Sequence, residues 1–247
     1  MLGPIRLHLN GQADSLGGTK QRTVVAALLL APGQMLSDNH LSQMLWGIRP
    51  PATALAQIHT YASRLRQRLG CHADVVRLQA GYQLITNQIW CDTLEYTQLT
   101  ERGFEELEAG RYEQATRLLQ AGLGLWRGEA VADGTAHLIE AERPWLAEGR
   151  LLALEGRIEA ELAMGRHRQL VSELTSLVAS YPFRERFRAL LMTALCRSDH
   201  QAAAIEVFHA GRRMLSDELG VDPGPLLVRI YDAILSGELT TLGAILV

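Results

Sequence analysis

The spacing of apolar residues settles into a single, helical period near residue 91, and that change constrains the fold more than any single motif. From Cys91-Asp92 onward apolar side chains recur at helical spacing, in runs rich in Ala, Leu, Glu and Arg. The runs are punctuated at Ala109-Gly110, Arg127-Gly128, Met164-Gly165, Tyr181-Pro182, Ser198-Asp199 and Pro223-Gly224. Before residue 91 strand-like and helical patterns alternate. The pattern therefore predicts two domains, residues 1–90 and residues 91–247, the second all-α.

In the first domain, Ile5-Arg6-Leu7-His8-Leu9 alternates apolar and polar and meets Asn10-Gly11, a two-residue hairpin signal. After Gly17-Gly18, Thr19 is placed to cap a helix carrying Val24, Val25, Leu28 and Leu29, which Pro32-Gly33 stops. Ser37-Asp38 caps a second, short helix with Leu41, Met44 and Leu45 on one face, ended at Trp46-Gly47. Pro50-Pro51 is expected to begin a third, because proline is tolerated where the first N–H groups lack intrahelical partners. Leu55, Ile58, Ala62, Leu65 and Leu69 form its expected core stripe, and Gly70 closes it. Val75–Leu78 and Tyr82–Ile85, joined through Ala80-Gly81, read as a hairpin. In the second domain, Gly165 and Asp199 open similar turn-then-helix segments 34 residues apart, the period of tetratricopeptide helical hairpins, and Ala204-x-x-x-Phe208 has that repeat's spacing. The fold class expected is mainly α with a small β component: a winged helix-turn-helix of three helices, a short sheet and a wing, followed by an all-α tetratricopeptide-like domain.

Charge divides at the same place. Residues 1–90 hold eight Lys or Arg against three Asp and no Glu, a net +5, whereas residues 91–247 hold sixteen basic and twenty-four acidic side chains, a net −8. A basic front points to a polyanionic partner. Three cysteines, Cys71, Cys91 and Cys196, without C-x-x-C spacing provide neither a disulfide framework nor a zinc ribbon. The apolar run Val24–Ala31 is too short to span a bilayer. These features predict a cytoplasmic protein with no membrane partner, no metal and no cofactor.

The third helix carries the candidate chemistry. An α-helix fits the major groove, and Arg, Gln and Thr side chains supply donors and acceptors that separate base pairs. The outward stripe expected to read DNA comprises Thr53, Gln57, Thr60, Tyr61, Arg64 and Arg68; a solvated helix face has the same composition, and charge and period do not separate the two. Lys20, the only lysine in the chain, stands with Arg22 at the start of the first helix, where a cation opposes the macrodipole and a phosphate would favour it. Arg77 on the wing is the third candidate phosphate contact, of the kind that positions rather than specifies.

These residues also carry a likeness. Leu2-Gly3-Pro4, Leu16-Gly17-Gly18-Thr19-Lys20-Gln21-Arg22, Leu45-Trp46-Gly47, Pro50-Pro51, Ser63-Arg64-Leu65-Arg66 and Gly81-Tyr82-x-Leu84 resemble the Streptomyces antibiotic regulatory protein family. Leu125-Trp126-Arg127-Gly128, Glu142-Arg143, Pro182-Phe183-Arg184-Glu185, Leu191-Met192 and Glu218-Leu219-Gly220-Val221-Asp222-Pro223-Gly224 resemble that family's bacterial transcriptional activator domain. Met44, and Gln201-Ala202 without a preceding glycine-arginine, depart from the pattern. The resemblance implies an OmpR-type winged helix and an activator of secondary-metabolite, typically antibiotic, gene clusters. Such an activator binds direct repeats in promoter double-stranded DNA as a dimer and recruits the RNA polymerase holoenzyme.

Other classes fit less well. No Gly-x-Ser-x-Gly elbow, His-Glu-x-x-His helix or G-x-x-x-x-G-K-[ST] loop occurs, so no enzyme activity is expected. A helical-repeat adaptor binding only proteins would explain residues 91–247 but leave the basic front without a purpose.

Overall fold

The computed structural model of the chain describes residues 1–9, 12–14, 16–85 and 89–238. The expected Asn10-Gly11 turn and the apolar segment 239–247 lie outside the described residues. Two compact units are present: residues 1–99 with 121–151, and residues 100–120 with 152–247.

In the first unit, β1 (Leu7–Leu9) pairs antiparallel with β2 (Gln12–Asp14), Leu7 opposite Asp14. Helix α1 (Thr19–Leu30) buries Val24 through Leu28. Its N-cap is Gly18 and not Thr19: the extended Gly18 offers its carbonyl to the amides of Gln21 and Arg22 at 2.9 and 3.2 Å. Strand β3 (Met35–Ser37) leads into α2 (Asp38–Trp46), which Ser37 caps by accepting the His40 amide at 3.1 Å. Helix α3 (Ala54–Leu69) begins three residues beyond Pro51, whose carbonyl accepts the Ala54 amide at 2.9 Å. Its core stripe is Ala54, Ile58, Ala62, Leu65 and Leu69. Leu55, expected in that stripe, is 62% exposed, because Ala54 and Ile58 already occupy the inward direction of the first turn.

The hairpin of β4 (Asp74–Leu78) and β5 (Gly81–Ile85) gains β3 to give a three-stranded antiparallel sheet in the order β3-β5-β4. Gly81 faces Ser37 in that sheet, and a Cβ there would lie 2.1 Å from the Leu36 carbonyl oxygen, so only glycine lets β3 approach. Residues 121–151, read from the sequence as part of the helical domain, pack in this unit with the N-terminal elements. Asp133 accepts the Ile5 amide at 2.7 Å and pairs with Arg22 at 3.0 Å. The Thr135 amide donates to Thr23 Oγ1 at 2.9 Å, and its hydroxyl donates to the Met44 carbonyl. Asp92 accepts the Leu2 amide at 3.0 Å and Arg127 Nη2 at 2.6 Å.

The helical series continues as α4 (Asp92–Glu108), α5 (Tyr112–Leu123), α6 (Ala136–Ala163), α7 (His167–Ser180), α8 (Glu185–Cys196), α9 (Gln201–Leu219) and α10 (Pro225–Ser236). In the second unit α8 is central: every residue from Phe187 to Leu195 is buried, and α7, α9 and α10 pack around it. Arg188 and Thr193 aside, this run is apolar all round, and such a helix needs cover on every side. Small residues set the approaches. A Cβ on Gly156 would meet Phe104 at 2.7 Å, and one on Gly211 would meet Arg188 at 2.7 Å. Carboxylates buried on α6 are paired, Glu155 with Arg184 and Glu159 with Arg186.

Candidate nucleic-acid interface

Helix α3 contains no acidic residue, and the arc opposite its core stripe is exposed. At about 100° per residue, the direction opposite the buried stripe falls among Ala56, Thr60, Ser63 and Gln67, with Arg64 about 60° to one side. Of these, Ala56, Thr60, Arg64 and Gln67 are exposed and Ser63 is half-buried. Gln57, Tyr61 and Arg68 sit about 80–120° from that direction and are half-buried. The arc thus brings together Thr60 and Arg64 and sets Gln57, Tyr61 and Arg68 on its flank. Leu55, Ala56, His59, Ser63 and Gln67 were not in the stripe read from the sequence. Projecting the helix from its buried residues, rather than from its polar ones, would have found them.

Several nominated polar groups bond within α3. Gln57 Nε2 donates to Thr53 Oγ1 at 3.0 Å, the Tyr61 hydroxyl donates to Gln57 Oε1 at 3.3 Å, and the Thr60 hydroxyl donates to the Ala56 carbonyl at 2.9 Å. Arg64 is different. Among the described residues Arg64 and Arg49, the latter exposed in the connection before α3, make no ion pair or side-chain hydrogen bond.

The other nominated cations hold protein contacts. The Lys20 ammonium lies 4.8 Å from the centroid of the Trp46 ring, a cation–π contact that ties α1 to the end of α2. Arg22 pairs with Asp133 and donates to the Gly17 carbonyl at 2.6 Å and to Thr19 Oγ1 at 3.1 Å. Arg77 makes a two-pronged pair with Asp38 at 2.5 and 2.8 Å and covers the Tyr82 ring at 4.7 Å. Hydrogen bonding to Asp38 pushes the Arg77 guanidinium further toward its charged form. Arg66, absent from the sequence-derived set, donates from Nε to the Val75 carbonyl at 3.0 Å and so fixes the wing strand against α3.

Among the described residues no group of three or more His, Cys, Asp or Glu could hold a metal ion, and no helix is long and apolar enough to cross a membrane.

Comparison with known proteins agrees with this architecture. Residues 91–235 match the family model described as bacterial transcriptional activator domain. The regulatory protein AfsR of Streptomyces griseus is 40% identical over 238 residues, covering 96% of this chain and 24% of that protein. The chain therefore spans about a quarter of the length of AfsR. The regulatory protein DnrI of Streptomyces peucetius is 35% identical over 249 residues, covering 96% of this chain and 92% of DnrI. The structure of Mycobacterium tuberculosis EmbR in complex with a low-affinity phosphopeptide superimposes with a TM-score of 0.91 at 32% identity, over 98% of this chain and 68% of the other.

Proposed function

Because the chain belongs to the Streptomyces antibiotic regulatory protein family of transcriptional regulators, we propose that it activates transcription by binding promoter DNA through α3 in the major groove. The observation that carries this reading is the acid-free exposed arc of α3, with Arg64 on it, unpaired among the described residues, and the β4–β5 wing fastened beside it by Arg66. Arg64 reads or anchors the duplex, and Arg49 meets the phosphate backbone at the head of the helix. Thr53, Gln57 and Tyr61 act first as a hydrogen-bonded brace along one flank of α3 and only secondarily as base contacts. Lys20, Arg22, Arg68 and Arg77 contribute positive potential near the phosphates. The share of Arg22 and Arg77 is smaller than that of Arg64, since each already faces a carboxylate.

Two protomers on direct repeats spaced about one helical turn, ~10 bp, would lie on one face of the DNA. The helical domain then serves protomer contact and recruitment of RNA polymerase, and the controlled genes are those of a secondary-metabolite cluster. The test is selection of duplexes from a random-sequence pool with the full chain, followed by titration at increasing salt. A selected repeat, with affinity falling steeply as salt rises, supports the reading. Recovery of no preferred sequence at low salt refutes it.

A further inference from the structure

Apart from the exposed imidazole of His59, the polar groups in the first half of α3 turn back onto the helix, and beside it they leave methyl groups facing outward. Thr60 donates its hydroxyl to the Ala56 carbonyl one turn earlier at 2.9 Å, so its Oγ1 proton is engaged, and its Cγ2 methyl and the acceptor side of the oxygen are left for a partner. Ala56 offers only a methyl on the same side. Leu55 is 62% exposed at the edge of this arc, although the core beneath it is already filled. The nearest amide, that of Gln57, is engaged by Thr53 and Tyr61. Exposed groups with hydrogen-bonding atoms that no described residue engages are those of His59, between Leu55 and Thr60, and of Arg64 and Gln67 in the second half. A single exposed leucine is ordinary on a protein surface. Here the leucine belongs to a strip of three apolar groups, on the helix that carries the proposed DNA contact.

We infer that Leu55 and Thr60, with Ala56 beside them, form an apolar reading edge that selects thymine through its 5-methyl group in the major groove; the inference rests on the reading of α3 as the DNA-binding helix. In that groove the thymine methyl is the one apolar feature that a base pair offers. Apolar groups along this edge gain by covering the methyl and gain nothing from cytosine, which carries only hydrogen at that ring position. Arg64, further along the helix, supplies hydrogen bonds to a neighbouring pair.

The experiment uses the full chain and the duplex recovered from the random pool. Each thymine is replaced in turn by deoxyuridine, which removes the 5-methyl and nothing else. Burial of one methyl changes affinity about fourfold, so one or two thymines per repeat are expected to show that loss and the others none. The discrimination should vanish at one of those positions in Leu55→Ala and at one in Thr60→Ser, the second retaining the hydroxyl that bonds to Ala56. Both sites are exposed, and unchanged circular dichroism and melting are expected for both variants. Equal affinity for the thymine and deoxyuridine duplexes overturns the inference while leaving DNA binding by α3 intact. So does discrimination that persists in both variants. A pool that yields no preferred sequence overturns the DNA-binding reading and this inference together.

Discussion

Replacement of Asp133 by alanine tests how the first unit is held together. One carboxylate oxygen accepts the Ile5 amide at 2.7 Å in a half-buried setting, and the other faces Arg22 Nε at 3.0 Å. A hydrogen bond to a charged group contributes about 1.5–3 kcal/mol. The ion pair contributes less than about 1 kcal/mol, because Asp133 is 36% and Arg22 24% exposed and solvent screens them. The expected total for Asp133→Ala is therefore about 1.5–4 kcal/mol. Asp133→Asn retains an acceptor for Ile5 and removes the charge, so its cost should stay near ~1 kcal/mol. The assay is urea denaturation of the full chain, followed by tryptophan fluorescence, since Trp46, Trp90, Trp126 and Trp145 all lie in the first unit. If the asparagine variant is as unstable as the alanine variant, the charge and not the amide bond dominates, and the ranking of the two contacts is refuted. If neither variant changes stability, residues 131–135 do not brace α1 and the N-terminal segment at all.

Three further expectations follow from the same structure. Arg64→Ala should weaken binding to the selected duplex by about 1–3 kcal/mol without lowering the melting temperature, since Arg64 has no ion pair or side-chain hydrogen bond among the described residues; unchanged affinity in a titration would remove it from the site. Gly81→Ala should destabilise the three-stranded sheet by about 1–3 kcal/mol, because the new Cβ meets the Leu36 carbonyl; a variant that melts like the parent would show that β3 can move aside at no cost. Glu159 is held up to about 7 by burial, against the opposing pull of Arg186. A carboxyl whose pKa is raised on folding adds stability at low pH and loses it as the pH climbs from the unfolded value toward 7. Glu159→Gln should accordingly make denaturation of the second unit less sensitive to pH between about 4.5 and 7, and a steeper dependence in the variant would reverse the sign of that argument.

Periodic elements were legible in the sequence, and their partners were not. The helical series beyond residue 91, the Ser37 cap and the hairpin around Gly81 follow from local spacing and turn chemistry, which neighbouring residues encode. Strand β3 went unread because three residues are too few for alternation to register, and its pairing with β5 depends on a chain segment more than forty residues away. Pro50-Pro51 signalled a helix start but precedes α3 by a turn, and Leu55 fitted a stripe spacing that Ala54 in fact fulfils. The anchoring of Asp133 and Thr135 to residues 5, 22, 23 and 44 leaves no local mark, since a loop Asp or Thr is common for many reasons. For the candidate interface, residue types were readable and their occupancy was not. Arg22, Arg64 and Arg77 look equivalent in the sequence, and only the fold separates the two that face carboxylates from the one that does not.

Occupation of the major groove by α3 is tested most directly by methylation protection at guanine N7, since that atom lies in the same groove. Full-chain protein on the upstream regions of its neighbouring genes should protect guanines in repeats about one turn apart, with protection lost in Arg64→Ala and fading as salt rises. Bound DNA whose guanine N7 atoms remain fully reactive, or protection unaltered in Arg64→Ala, would contradict it.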